Sequence, residues 1–217
     1  GQYYPKVLLG GPAFGSRCDA FVPGFYVKEG VVFTSRGCNL SCPWCLVPRR
    51  EGKLRLLPIA GGNIIQDNNL LQAPRAHIEA VFAMLRRQKR AASFPGGLEA
   101  DLVDDWVAGQ LSELRIDQVF LSCDTDATLR PLEKALKRLA FLGRDKLRCY
   151  VLLGWNGESL EAGVKRLEAV WDAGAMPHAQ LFQPANGFIH YPWKWRDVNR
   201  TWSRPAAMKA LHKAALR

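Results

Sequence analysis

The chain has no apolar run long enough to cross a bilayer, and its first residues do not form a charged segment followed by an apolar one. It also has no internal repeat and no low-complexity segment. Apolar residues make up 48% and charged residues 23% of the 217 residues, which is typical of a globular protein and not of a disordered one. This length suits one domain with a full hydrophobic core. We therefore expect a cytoplasmic globular protein without a membrane segment.

No dense basic tract occurs, although positive charge is in excess. Thirty Lys and Arg residues against 20 Asp and Glu residues give a formal net charge of +10. Such an excess favours polyanionic partners, such as a nucleic acid, a nucleotide or an acidic carrier. The excess is distributed in pairs such as Arg49-Arg50 and Lys137-Arg138, and solvated helix faces explain most of it. Nucleic acid or nucleotide is therefore a candidate partner and no more.

The sequence lacks the second cysteine pair, or the histidine cluster, that would complete a four-ligand zinc site. A secreted disulfide scaffold would be smaller and its cysteines more evenly distributed, whereas three cysteines here fall within eight residues and indicate a metal centre. One loop with spacings of three and two residues can wrap three corners of a cubane iron–sulfur cluster and leave one iron open. The six cysteines are Cys18, Cys38, Cys42, Cys45, Cys123 and Cys149.

Short apolar runs alternate with longer amphipathic ones from Val31 onward, which predicts repeated β–α units around a parallel sheet. Strands are predicted at 31–35, 63–66, 91–94, 118–123, 148–153 and 179–182. Helices are predicted after Pro74, at 104–114, 129–142 and 159–173, and from Pro205 onward. Ligands bind at the carboxyl edge of such sheets. Four acidic residues follow predicted strands and are expected to converge there: Asp67, Glu99, Asp124 and Glu158.

The run Cys38-Asn-Leu-Ser-Cys42-Pro-Trp-Cys45, which follows the first predicted strand, resembles the radical-SAM superfamily. The motif of that superfamily is Cys-x3-Cys-x-aromatic-Cys after the first barrel strand. Trp44 is the aromatic residue here, and we expect it to border the cofactor. The resemblance implies an α/β fold, namely a partial (β/α)6 TIM-type barrel with a parallel sheet over residues 31–185. A short N-terminal extension (1–30) and a C-terminal aromatic and basic tail with a helix (186–217) would flank it.

The same resemblance implies cofactors and a reaction. A 4Fe–4S cluster bound by Cys38, Cys42 and Cys45 would chelate S-adenosylmethionine, and an external one-electron donor of the flavodoxin or ferredoxin type would reduce it. Cleavage of the carbon–sulfur bond would give methionine and a 5′-deoxyadenosyl radical, which abstracts hydrogen from a substrate. The charge and the bare barrel favour a large or anionic substrate: a nucleic acid, a nucleotide or, as the next candidate, a peptide.

The resemblance also implies residues that hold the methionine end of S-adenosylmethionine. The run Gln66-Asp67-Asn68-Asn69 is similar to the Asp-Asp-Asn variant in cobalamin-associated radical-SAM families, which assigns Asp67 and Asn68 to the methionine amino group. The alternative is an Asp/Asn-rich turn that caps the next helix. Glu99, in a Gly-Gly-Leu-Glu run, reaches the ligand or lines the substrate space, or belongs to a plain turn between strand and helix.

Four further residues are assigned to the adenosine end in the same way. Asp124 and Thr125 occupy the slot where relatives bind the ribose hydroxyls, unless Asp124-Thr125 only caps the helix that follows. The turn that begins at Gly154 resembles the Gly-x-Pro-Gly-Glu turn beside adenine, with Asn156 in place of the proline. Gln183 would close the adenine pocket.

The remaining features leave alternatives open. Cys123 and Cys149 are expected to pack in the core rather than to donate hydrogen. The aromatic and basic residues from Tyr191 to Arg204 either stack on bases or pack against the sheet. The opening Leu8-Leu9-Gly10-Gly11-Pro12 resembles the end of a cobalamin-binding domain, yet we expect no cobalamin binding, or only weak binding, by this chain alone. The opposing hypothesis is a non-catalytic iron–sulfur or zinc protein that binds nucleic acid, and a third is a methyltransferase without radical chemistry.

Overall fold

The computed structural model describes residues 28–215, without the side chains of residues 214 and 215. The predictions for the segment at 8–12, for Cys18 and for most of the N-terminal extension lie outside the described residues. No helix in the described part of the chain has the length and apolar character that a membrane span requires.

The first predicted strand is split in two. Strand β1 (Val31–Val32) belongs to the main sheet, whereas β2 (Ser35–Arg36) pairs antiparallel with β3 (Arg55–Leu56) in a separate ribbon, and the one-turn helix α1 (Val47–Arg50) lies between them. A single strand over 31–35 was therefore wrong. The chain leaves the main sheet after Val32, and the buried residues Thr34 and Ser35 that follow bond to the carboxylate of Asp67, just after the neighbouring strand.

Six strands form the main sheet in the order β1-β4-β5-β6-β7-β8, and every neighbouring pair is parallel. The predicted α/β class with a parallel sheet is confirmed, and this sequential order is compatible with a partial α/β barrel. The remaining elements are β4 (Ile64–Ile65), α2 (Arg75–Arg86), β5 (Ala92–Phe94), α3 (Asp105–Ser112), β6 (Ile116–Ser122), α4 (Leu129–Arg138), β7 (Leu147–Leu153), α5 (Leu160–Asp172), β8 (Met176–Leu181), α6 (Trp193–Trp202) and α7 (Pro205–Ala215).

Apolar periodicity explains how the helices cover the sheet. Helix α2 buries residues at helical spacing, among them Ile78, Phe82 and Leu85, and the ring of Phe82 meets that of Phe94 on β5 edge to face, with centroids 6.3 Å apart. Along strand β7, successive side chains point to opposite faces of the sheet. Four of its residues are at most 3% exposed and belong to the core: Leu147, Cys149, Val151 and Leu153.

Two elements differ from the prediction near the end of the chain. Strand β8 starts at Met176, three residues before the predicted start, because Pro177 is tolerated on a strand at the edge of the described sheet. Helix α6 was not predicted at all. It begins after Pro192, and it buries Trp202, which is 4% exposed, while Trp193 at its first turn is 65% exposed. One tryptophan of the aromatic tail therefore packs in the core, whereas another is exposed.

Candidate functional site

The three clustered cysteines lie on one loop at the carboxyl end of β1, between β2 and α1. Each thiol is partly exposed, and a backbone bond from the Cys45 N–H to the Cys42 carbonyl (3.0 Å) makes the tight turn between the last two. The loop is tied to the β2–β3 ribbon, since the Cys38 N–H donates to the Gly52 carbonyl at 3.1 Å. A Cβ at Gly37 would collide with the Lys53 carbonyl, and φ there is +83°, so only glycine fits before Cys38.

Asp67, which follows β4, holds the start of this loop. Its carboxylate accepts hydrogen bonds from the Thr34 N–H (2.6 Å), the Thr34 hydroxyl (2.6 Å) and the Ser35 hydroxyl (2.7 Å). All three residues are buried, with at most 1% exposure. Asn68 extends the same arrangement, because its side-chain oxygen accepts from the Gly37 N–H at 2.9 Å. These two residues, predicted to bind the methionine amino group, are thus engaged in holding the cysteine loop.

A second polar group lies beside Cys38. The Asn69 amide donates to a carboxylate oxygen of Glu99 (2.7 Å) and, at 3.8 Å, to the Cys38 sulfur. Gln72 donates to the same Glu99 oxygen (2.8 Å) and accepts from the Asn39 N–H in the cysteine loop (2.7 Å). The side-chain oxygen of Asn69 is buried and has no hydrogen-bond partner among the described residues. A buried polar atom without a partner is costly, and a donor placed beside this one would remove that cost.

The thiols influence one another electrostatically. Burial raises the pKa of Cys42, and the nearby Cys45, Cys38 and Asp124 raise it further. Burial likewise raises the pKa of Cys45, an effect that a backbone hydrogen bond at Val47 opposes. A bound metal ion or cluster would lower the pKa values of these thiols, because it binds and stabilises the thiolate form.

An open cleft of about 630 Å³ lies against the loop at the carboxyl edge of the sheet. It is lined by five of the predicted site residues: Trp44, Cys45, Asp67, Asn68 and Asp124. It is also lined by residues that the sequence did not single out, which come from strand ends and from the turns after them: Phe33, Arg36, Gln66, Pro95, Ser122, Tyr150 and Gln180. The cleft thus joins the cysteine loop to the ends of the following strands, as ligand sites in parallel sheets do.

Asp124 and Trp44 form one wall of the cleft. Burial raises the pKa of Asp124, and polar contacts from the Leu152 backbone, the Trp44 indole and Arg166 oppose the rise. The Trp44 ring meets the Trp155 ring edge to face, with centroids 4.9 Å apart. The cysteine loop is therefore linked by aromatic contact to the turn that follows β7.

Arg36 and Glu51 close the base of the loop. They form a buried ion pair, and the Arg36 guanidinium also lies 4.5 Å from the centre of the Phe33 ring. Glu51 accepts a second contact from Arg55 at 3.6 Å. Because Arg36 and Glu51 are both desolvated, removal of Glu51 would leave the Arg36 guanidinium buried without a counter-charge.

Six predicted site residues do not line this cleft, and two of them are the loop cysteines Cys38 and Cys42. Glu99 belongs to the Asn69 group described above. The Thr125 N–H donates to the Thr128 hydroxyl at 3.3 Å in a helical turn that precedes α4, which agrees with the capping alternative. Gly154 has φ of +77° and abuts Tyr191. Gln183 forms two hydrogen bonds with the backbone of Ile189, at 2.8 and 3.2 Å, and so fixes the segment after β8.

The donor set of the loop consists of three thiols, the ligand type that iron–sulfur clusters require. No three Cys, His, Asp or Glu side chains within residues 28–215 converge closely enough to hold one metal ion. In a cubane cluster each thiolate binds a different iron. N–H donors to a cysteine sulfur, which tune such clusters, are present at Cys38: the Leu40 N–H (3.4 Å) and the Asn69 amide.

Sequence reasoning missed the roles of Asn69 and Gln72. Asn69 belongs to the run Gln66-Asp67-Asn68-Asn69, and its position shortly after β4 was the sequence feature that could have indicated its role. Gln72 carried no signal, because its two hydrogen bonds join segments that are distant in the sequence. No protein-family model matches the chain, and no curated protein matches it at a significant level.

Proposed function

We propose that this protein is a radical-SAM enzyme with a partial (β/α)6 barrel, in which Cys38, Cys42 and Cys45 bind a 4Fe–4S cluster and the cleft beside them binds S-adenosylmethionine. The observation that carries the proposal is the position of three partly exposed thiols on one loop, at the carboxyl end of a parallel sheet and beside an open cleft. Iron–sulfur clusters require thiolates, and ligands of parallel sheets bind at this edge.

The group beside Cys38 supports a place for the methionine end. An ammonium group would supply the donor that the buried Asn69 oxygen lacks, and the carboxylate of Glu99, only one oxygen of which accepts hydrogen bonds, would compensate its charge. Asp67 and Asn68 act indirectly, because their side chains accept hydrogen bonds from the backbone that precedes the first loop cysteine. We therefore assign amino-group binding to Asn69 and Glu99, and loop positioning to Asp67 and Asn68.

The chemistry of the reaction belongs to the cofactors. When bound, a cluster reduced by an external donor of the flavodoxin or ferredoxin type supplies the electron that cleaves S-adenosylmethionine to methionine and a 5′-deoxyadenosyl radical, which abstracts hydrogen from the substrate. The protein orients the ligands and limits the access of water. Trp44 and Trp155 cover one side of the loop, and the Arg36–Glu51 pair closes its base.

The test is product formation by anaerobically reconstituted protein. With iron, sulfide, dithionite and S-adenosylmethionine, we expect 5′-deoxyadenosine, and we expect none from Cys42→Ala. Ser41→Ala is the matched control, because Ser41 is an exposed neighbour in the same loop, and it should retain full product formation. S-adenosylhomocysteine in place of 5′-deoxyadenosine would indicate a methyltransferase without radical chemistry. Zinc in the purified protein would favour the non-catalytic, nucleic-acid-binding alternative and overturn the proposal.

A further inference from the structure

Three side chains of the cleft have hydrogen-bonding groups without a protein partner. Gln66, Ser122 and Gln180 all line the cleft, and none of their side chains makes a hydrogen bond within the described part of the chain. The carboxylate of Asp67, in the same cleft, is by contrast fully engaged. Two carboxamides and a hydroxyl offer both donors and acceptors without net charge. They suit a neutral ligand that has hydrogen-bonding groups along its edge.

The same cleft has flat apolar surfaces. Phe33 and Trp44 line it, and so does Tyr150, whose ring stacks on Phe120 with centroids 4.7 Å apart. The Tyr150 hydroxyl donates to the Pro95 carbonyl at 2.9 Å, which fixes the ring further. Fixed aromatic faces beside neutral donors and acceptors are the environment in which proteins bind an unstacked nucleobase.

The segments that flank the cleft contain no acidic residue over long stretches. No Asp or Glu occurs in residues 30–50, which include the cysteine loop, or in residues 173–196, which include β8 and the segment after it. The charged residues of these stretches that are exposed are all basic: Arg49, Arg50, Lys194 and Arg196. Asp124 lines the cleft itself and Asp126 is exposed after β6, so a polyanion would contact the protein along these two basic stretches.

Exposed aromatic rings lie in the same region. Phe188 is 68% exposed and Trp193 is 65% exposed. Their segment is fixed at the end of β8, because Gln183 bonds to the Ile189 backbone and Tyr191 contacts the turn at Gly154. Large exposed aromatic rings among basic side chains provide the stacking platforms that single-stranded nucleic acids use.

We propose that the substrate is a single-stranded nucleic acid, one base of which enters the cleft alongside S-adenosylmethionine and bonds to Gln66, Ser122 and Gln180 while neighbouring bases stack on Phe188 and Trp193. The inference rests on the proposed function only for the reaction of that base, because the radical would abstract hydrogen from an atom that lies inside the cleft. Binding of the strand needs neither reduction of the cluster nor cleavage of S-adenosylmethionine, so the two claims are separable.

The test measures strand binding by reconstituted protein with fluorescein-labelled 12-nucleotide probes of DNA and RNA, by fluorescence anisotropy under anaerobic conditions. Both single strands should bind at least about 10-fold more tightly than the matched duplex, and more weakly at higher salt. Any preference for one of them identifies the sugar. Phe188→Ala and Trp193→Ala should each lower the affinity about 5-fold or more. Phe141→Ala is the control, because Phe141 is also exposed (50%) but precedes the amino end of β7, at the opposite edge of the sheet.

The cleft is tested by Gln180→Ala, which should reduce affinity for the single strand about 5-fold and leave duplex binding unchanged. Equal binding of single strand and duplex, equal loss with Phe141→Ala, or competition by an acidic peptide but not by unlabelled strand would overturn the inference. Formation of 5′-deoxyadenosine without strand binding would overturn the inference and leave the proposed function intact. Strand binding that depends on Trp193, without 5′-deoxyadenosine, would uphold the surface and overturn the proposed function.

Discussion

Replacing Asp67 by alanine removes the acceptor of three buried donors. The carboxylate receives the Thr34 N–H and the hydroxyls of Thr34 and Ser35, and Thr34 and Ser35 are both 0% exposed. A buried donor left without a partner costs about 1–3 kcal/mol. The two hydroxyls can rotate toward other acceptors, so we take the lower part of that range and expect a total loss of about 3–5 kcal/mol. Against a typical stability of about 5–15 kcal/mol, this is a large fraction.

The assay is guanidinium unfolding of apoprotein, followed by far-UV circular dichroism and tryptophan fluorescence. The midpoint should fall while the slope stays unchanged. Asp117→Ala is the matched control, since Asp117 is exposed and accepts one hydrogen bond, from the Ser93 hydroxyl at 2.9 Å. Its effect should stay within about 0.5 kcal/mol. If Asp67→Ala loses less than about 1 kcal/mol yet abolishes 5′-deoxyadenosine formation, Asp67 binds the cofactor and the reasoning from its contacts is refuted.

Three further predictions concern residues around the site. Gly154→Ala should destabilise the fold by about 1–3 kcal/mol, because φ is +77° and the new Cβ would lie 2.7 Å from the Tyr191 hydroxyl. Tyr191→Ala should relieve part of that loss in a double-mutant cycle, and full additivity would contradict the contact. Arg166→Met should cost about 3–5 kcal/mol in thermal or denaturant unfolding, because it removes the guanidinium that lies 2.6 Å from the half-buried Glu158 carboxylate; a loss under 1 kcal/mol would contradict this. In apoprotein at pH 8, iodoacetamide should label the three loop cysteines but not Cys123 or Cys149 before unfolding, since both are buried and burial raises the pKa of Cys123 to about 11. Because the pKa of Cys123 is raised in the folded state, the stability that its neutral thiol contributes should be lost as pH rises from about 9 through 11.

The periodic parts of the fold could be predicted from the sequence. Helices α2, α3, α4, α5 and α7 and the six sheet strands were located from apolar spacing and from residues such as Gly143 that end helices, although the first strand was predicted three residues too long. The β2–β3 ribbon was missed, because strands of two residues have no measurable period. Helix α6 was missed because its tryptophans alternate with charged residues and do not form one apolar face.

The site was predictable at the level of the loop and not at the level of contacts. The spacing of the three cysteines and the residues after each strand indicated which segments meet at one edge, and Trp44, Asp67 and Asp124 do line one cleft there. Their partners depend on distances between remote segments. The pattern therefore could not reveal that Asp67 bonds to Thr34 and Ser35, or that Asn69 has an unpartnered buried oxygen.

The central claim is that the three cysteines bind a cluster and leave one of its irons open, and electron paramagnetic resonance tests this claim most directly. Protein reconstituted without oxygen should contain about four iron atoms and four sulfides per chain. After reduction by dithionite, its spectrum should change when S-adenosylmethionine is added, because the ligand binds the iron that no cysteine occupies. A reduced cluster whose spectrum is the same with and without S-adenosylmethionine, or protein that takes up zinc instead of iron, would contradict the account.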